Sequence, residues 1–250
     1  MRAVAYHGKR DVRVDTVPDP TIEQPTDAIV RITSSGICGS DLHLYEVLGA
    51  FMGEGDILGH EPMGIVEAVG SEVTQIKPGD RVVIPFNISC GHCFMCDQKL
   101  YSQCETTQVR DQGKGASLFG YTKLYGQVPG GQAELLRVPQ AHFGPVKVPE
   151  GPPDERFVYL SDVLPTAWQA VEYAAIPDGG TVAVFGQGRS GRCPAGSRFT
   201  AERLRCSELT SFPSGLRWRA DMASTRSTPS RPATSETRCG RLPPGADRIR

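Results

Sequence analysis

Four cysteines within fifteen residues, Cys90, Cys93, Cys96 and Cys104 in SCGHCFMCDQKLYSQC, constrain this chain more than any other feature. The spacings of two, two and seven residues between them place four thiolates on one short lobe. Four soft, charged ligands satisfy a tetrahedral zinc ion and leave no position for water, so the site is expected to be structural. An iron–sulfur cluster can also open on a C-x2-C-x2-C run, but the fourth spacing differs from the ferredoxin pattern and no second cluster run follows. His92, between two of the ligands, reads as a solvent-facing loop residue. A disulfide framework is disfavoured, because the opening MRAVAYHGKRDVRVDTVPDP lacks the apolar core of an export signal. A reduced, cytoplasmic setting is the expectation.

Composition narrows the partners. The formal charge of −1, from 27 basic and 28 acidic residues, gives no global field to draw in nucleic acid or an anionic membrane. No run of eighteen apolar residues occurs, so no membrane span is expected. Partner chemistry must therefore come from sites. The average also hides a break. Residues 1–188 carry all 21 valines, all six lysines and all five histidines, the profile of a β-rich globular region. Residues 189–250 hold thirteen Arg, nine Ser and six Pro, without Val, Lys, His, Tyr, Asn or Gln. With aliphatic β-branched residues nearly absent, that stretch is expected to be disordered and not to make strands.

Upstream of the break, short apolar runs alternate with turn signals: Ala28 to Ile32, Gly64 to Val69, and Arg81 to Ile84 after Lys77-Pro78-Gly79-Asp80. Pro165 to Ala175 (PTAWQAVEYAA) has apolar residues at helical spacing and Pro177 beyond its end. Thr181 to Phe185 then reads as a buried strand running into Gly186-Gln187-Gly188, the entry to a nucleotide-binding βαβ unit.

A second constellation is looser. Cys38 stands in SSGICGSDLH, and His60-Glu61 in LGHEPMGIVEAVG. One Cys and one His beside glycine-rich turns could share a catalytic zinc with a position left for substrate, although a single buried Cys or His is more often packing than ligand.

The run Gly36 to His43, then Gly59-His60-Glu61-Pro62, Gly64 and Val69-Gly70, then Lys77 to Val82 and the four-cysteine lobe, closely resembles the zinc-dependent medium-chain alcohol dehydrogenases. The stretch SLFGYTKLYGQVPGGQAELLRVPQAHFGPVKVP resembles the branch with glutathione-independent formaldehyde dehydrogenases and threonine-dehydrogenase-like enzymes. The resemblance implies an α/β protein: a mainly-β GroES-like catalytic domain over 1–160, the start of a Rossmann NAD(P)-binding domain over 161–188, and the tail 189–250. It implies two zinc ions per chain, NAD or NADP as cofactor, a small alcohol or aldehyde as substrate, and homo-oligomers for the intact family. It makes Cys38, His60 and Asp162 the catalytic zinc ligands, with Glu61 a neighbour able to bind the metal as water leaves. Asp162 reads alternatively as a helix cap before Pro165. Ser40 would take the substrate's hydroxyl proton and His43 would pass it to solvent, whereas the plain reading of Ser40 is a turn hydroxyl. Gly39 stands where some relatives place a basic residue. Thr166 would pack against the nicotinamide ring or, more simply, within its own helix.

Gly186, Gly188 and Gly191 fit G-x-G-x-x-G after a strand, the pattern that sets a dinucleotide's pyrophosphate on a helix N-terminus. The following RSGRCPAGSRF lacks an amphipathic stripe, and no second apolar strand ending in an acid is expected; RLRCS before Glu208 is no buried strand. A shift of reading frame accounts for this. Loss of one C from CCG-GTC-GGG-C, whose three full codons give Pro-Val-Gly, leaves CGG-TCG-GGC, which is Arg189-Ser190-Gly191. In the restored frame, Ser214 to Thr225 permits an amphipathic helix after an acidic strand end. A frameshift near residue 189 is therefore expected, leaving the first nucleotide-domain strand unpaired and the chain's activity impaired.

Overall fold

Apolar alternation along the first third of the chain resolves into strands. The protein is described by a computed structural model over residues 1–175, and as backbone strands over 181–185 and 205–209. Strands β1 (Arg2–Gly8) and β2 (Asp11–Thr16) form an antiparallel hairpin. Strands β3 (Ala28–Ser35), β4 (Pro62–Val69), β5 (Arg81–Val83), β6 (Leu135–Val138) and β7 (Val146–Lys147) form an antiparallel sheet in the order β6-β3-β4-β5-β7. All three strands read from sequence in this region are present, with boundaries moved by one to three residues. The register between β3 and β4 shifts twice, between Ile29 and Val30 and between Ile32 and Ser34. Such bulges bend a strand and increase its twist, which curls the sheet around its own core.

That core is formed by Ala28, Val30, Val66, Val82, Ile84, Phe119, Leu136 and Val138, all essentially inaccessible to water. A partly buried ion pair ties β5 to the turn after β7. Arg81, 8% exposed, pairs with Asp154 and donates to the carbonyls of Pro149 (3.0 Å) and Pro152 (2.8 Å). Asp154 also accepts from the Thr33 and Ser34 hydroxyls, so one carboxylate joins β3, β5 and the turn after β7.

Among the described residues, α-helices α1 (Gly39–Glu46), α2 (Phe94–Asp97) and α3 (Val163–Ala174) carry or flank several of the candidate site residues. The third begins two residues before the expected Pro165. Proline is tolerated there because the N–H groups of a first turn have no carbonyl partner to lose. Among the described residues no helix is long and apolar enough to cross a membrane.

Strand β8 (Thr181–Phe185) lies where the sequence places it. It is not unpaired: β9 (Arg205–Leu209) runs parallel to it, with Val184 opposite Glu208. This corrects the expectation that no strand forms after residue 189. A strand's free N–H and C=O groups template a neighbour whatever that neighbour's propensity, and pairing context outweighs residue preference in sheets. Both strands belong to the compact unit Met1–Thr210. The remaining tail and Gly186, Gly188 and Gly191 lie outside the described residues.

Candidate metal centres

The four cysteines converge. Cys90, Cys96 and Cys104 are buried and Cys93 is half-buried, none in a disulfide, and the four sulfurs lie within 4.8 Å of one another. The Sγ–Sγ separations of 4.0 Å (Cys90–Cys96) and 3.9 Å (Cys93–Cys104) compare with about 3.8 Å for the edge of a zinc–thiolate tetrahedron. Donors are aimed at the sulfurs: the backbone N–H of Cys90 at Cys104 (3.4 Å), that of Glu105 at Cys93 (3.4 Å), and the Thr106 hydroxyl at Cys90 (3.2 Å). Such donors favour the thiolate, the form that binds metal. Burial raises the Cys96 thiol; Cys93, against its own burial, is lowered by the backbone N–H groups of Cys96 and Glu105. Four thiolates this close repel one another, and a divalent cation among them offsets that repulsion, so the donor set fits zinc. His92 is exposed, as expected, yet it shares with His142 a hydrogen bond to the Cys90 carbonyl, each at 2.9 Å.

The second site is assembled from three separate segments. Cys38 precedes α1, His60 and Glu61 lead into β4, and Asp162 precedes α3. One ligand atom from each of these four residues falls within a 4.8 Å cluster. His60 Nε2 lies 3.4 Å from Asp162 Oδ2, and Cys38 Sγ lies 4.0 Å from the same oxygen. Neighbouring N, O and S ligands on tetrahedral zinc are separated by roughly 3.3–3.8 Å, so these residues also fit the ion. Asp162 stands at the helix N-cap position but makes no side-chain cap bond. Its Oδ1 accepts the Thr166 hydroxyl at 2.6 Å while Oδ2 faces the cluster. Glu61 is 1% exposed, and a Cβ on Gly36 would lie 1.9 Å from its Oε2 and 2.9 Å from its Cβ, so only glycine admits this carboxylate.

Sequence reasoning missed Asp41. Its Oδ2 accepts the Cys38 backbone N–H at 2.7 Å, and its Oδ1 lies 3.4 Å from His60 Nδ1. A carboxylate behind a ligating imidazole fixes the ring's tautomer and raises its basicity. The only signal was an acid three residues after Cys38, which reads equally as a helix-start residue. Asp41→Asn is expected to weaken metal binding at this site by about 10- to 100-fold. A chelator competition titration, with the four-cysteine site as internal reference, would measure it.

Burial opposes a charge on His60, but Asp162, Asp41 and Cys38 outweigh it and push the ring up to about 12. His60 in turn lowers the Cys38 thiol, against burial and with help from the Ser40 backbone N–H. In the metal-free protein at neutral pH the imidazole thus carries a proton that a metal must displace. Affinity is expected to rise with pH, with net proton release on binding; calorimetry in buffers of differing ionisation enthalpy would detect it. Ser40 and His43 lie three residues apart on α1, the first half-buried and the second exposed. Thr166 is exposed on α3, tied to Asp162.

A fold with a curled GroES-like sheet, a closed four-thiolate site and a mixed Cys-His-Asp site defines a class of enzymes. The alcohol dehydrogenase GroES-like domain family matches residues 24–150, and the chain belongs to the zinc-type medium-chain alcohol dehydrogenases. It is 50% identical to an uncharacterized zinc-type alcohol dehydrogenase-like protein of Bacillus subtilis over 76% of this chain and 50% of that protein. It is 36% identical to a glutathione-independent formaldehyde dehydrogenase of Pseudomonas aeruginosa, over 78% of this chain and 50% of the relative. Among solved structures, an alcohol dehydrogenase from Thermus sp. ATN1 matches with a TM-score of 0.74 and 37% identity, over 84% of this chain and 57% of the other. The chain spans about half the length of the curated relatives it matches.

Proposed function

We propose that this chain carries the catalytic half of an oxidoreductase that converts a small alcohol to an aldehyde or ketone, or the reverse, by hydride transfer to NAD or NADP. The observation that carries the reading is the convergence of Cys38, His60 and Asp162 beside a separate, closed four-cysteine cluster. When bound, zinc would supply Lewis acidity toward the substrate oxygen, and the nicotinamide would accept the hydride. Two zinc ions per chain would be held, one by Cys38, His60 and Asp162 with Glu61 as alternate ligand, and one by Cys90, Cys93, Cys96 and Cys104. In the first site two anionic ligands and a neutral imidazole would balance a divalent charge.

The chain's own residues supply the proton path. Ser40, beside Cys38, would receive the hydroxyl proton, and exposed His43, one helical turn on, would hand it to solvent. With the hydride taken by the nicotinamide when bound, the proton would be the part of the reaction left to this chain's own side chains. Thr166, on the helix that follows Asp162, would face the nicotinamide, and Gly186, Gly188 and Gly191 would cradle its pyrophosphate. The zinc-binding domain would occupy 1–160 and the nucleotide domain would begin at 161. A reading-frame change near residue 189 is supported by the share matched to the Bacillus relative, 76% of this chain, about the share preceding Arg189.

Relatives named for formaldehyde, a dismutase of Pseudomonas putida among them, make the shortest aldehydes and alcohols the first substrates to assay. Titration with NADH tests the cofactor half. Fluorescence enhancement with micromolar affinity supports the reading; no enhancement in a chain with both metal sites filled leaves a zinc-binding module without the reaction.

A further inference from the structure

The branch-like stretch after the cysteine lobe has no part in the reaction proposed above, yet it is packed onto the segment that carries His60. Backbone bonds run from Gly130 N–H to the Ile57 carbonyl (2.9 Å), from Gly131 to Gly59 (2.8 Å) and from Gln132 to Leu58 (2.9 Å). The approach is backbone on backbone. A Cβ on Gly120, whose φ is +55°, would lie 2.5 Å from the Gly59 nitrogen, and one on Gly130 would lie 2.4 Å from the Leu58 carbonyl oxygen. The residue after Gly120 is therefore delivered beside His60. It is Tyr121, whose ring stands edge-to-face with the His60 imidazole, centroids 6.4 Å apart and planes at 89°. Tyr125 buttresses it at 5.5 Å and 76°, and Tyr121 also packs against the Tyr6, Leu44 and Leu58 cluster.

Two constraints then act on one imidazole. Asp41 engages Nδ1, which restrains rotation within the ring plane; the perpendicular Tyr121 ring restrains tilting out of it. Together they aim Nε2 toward Asp162 and Cys38. We infer that Tyr121, carried by the glycine-packed segment 119–132, is a positioning residue that sets the orientation of His60 for metal binding. The inference rests on the metal reading of the Cys38–His60–Asp162 site. It assigns the effect to the ring of Tyr121 and not to its hydroxyl.

The test uses the full chain with zinc in the four-cysteine site and cobalt(II) titrated into the other. Tyr121→Phe keeps the ring and is expected to bind cobalt with unchanged affinity and unchanged visible bands. Tyr121→Leu keeps apolar volume without the ring and is expected to bind about tenfold more weakly, with shifted bands. The zinc retained by the four-cysteine site, counted by metal analysis, stays unchanged in both and reports folding. Tyr125→Leu removes only the buttress, should shift the same bands by less, and decides the matter if Tyr121→Leu fails to fold. Unchanged bands and affinity in a folded leucine variant would overturn the inference, as would an equal loss in Tyr121→Phe. A wild-type chain that takes up no cobalt outside the four-cysteine site would instead overturn the metal reading itself.

Discussion

Cys104→Ser is expected to cost the chain the zinc ion proposed for the four-cysteine site and the order of the lobe around it. Cys104 is fully buried, its sulfur accepts the Cys90 N–H, and it lies 3.9 Å from Cys93. Beyond the cysteines the lobe is tied to the domain by side-chain contacts such as His142 to the Cys90 carbonyl and Tyr101 against Phe143. Its apolar cluster consists of three of its own cysteines with Ala116, and α2 has four residues, too short to persist without tertiary support. In small zinc-stabilised units the metal's binding free energy is the folding free energy. Losing one thiolate therefore removes the ion, after which the remaining thiols are free to oxidise. Metal analysis should fall by one zinc per chain, and limited proteolysis should begin within the lobe while the β3–β4–β5 core stays resistant. Cleavage at the wild-type rate would contradict the structural role.

Asp154→Ala is expected to destabilise the β3–β4–β5 sheet and its core by about 3 kcal/mol, because it strands a buried guanidinium. The Arg81 side chain is 8% exposed, and without Asp154 it keeps the Pro149 and Pro152 carbonyls and the face of the Phe157 ring at 5.2 Å, none of which neutralises its charge. Thr33 and Ser34 lose their shared acceptor in the same stroke. A urea titration should show a lower midpoint with little change in slope. The pair also carries a pH dependence. Burial pushes Asp154 up, but Thr33, Arg81 and Ser34 outweigh it and hold the carboxyl below its ordinary value near 3.8. A depressed folded value means that the stabilisation is fully present above the ordinary carboxylate range and is lost as pH falls through that range to the folded value. Wild type should lose more stability than the alanine variant on acidification, and parallel acid limbs would show that the pair contributes nothing.

Much of the first metal site was legible, because C-x2-C-x2-C-x7-C binds its ligands within one short segment and spacing alone brings the sulfurs together. The second site was legible only through resemblance. Cys38, His60 and Asp162 come from three segments, and no local pattern records that β3, β4 and α3 bring them to one point. Asp41 and Tyr121 escaped for the same reason: each acts through a contact with His60, nineteen and sixty-one positions away in the chain. Arg81 and Asp154 read singly as a strand start and a loop acid, and only the fold makes them a pair. Strand β9 was missed for a different reason, since its residues are poor strand formers and the pairing groups of β8 supply what they lack. The alternation that marks β3, β4 and β5 succeeded because each has a face against one core.

Counting metal by native mass spectrometry tests most directly whether the two proposed sites each hold an ion. Two zinc ions per chain are expected in the wild type, one in Cys38→Ser with the four-cysteine site intact, and one in Cys104→Ser with the Cys38–His60–Asp162 site intact. A wild-type chain that holds a single zinc, or a Cys38→Ser variant that still holds two, would contradict that expectation.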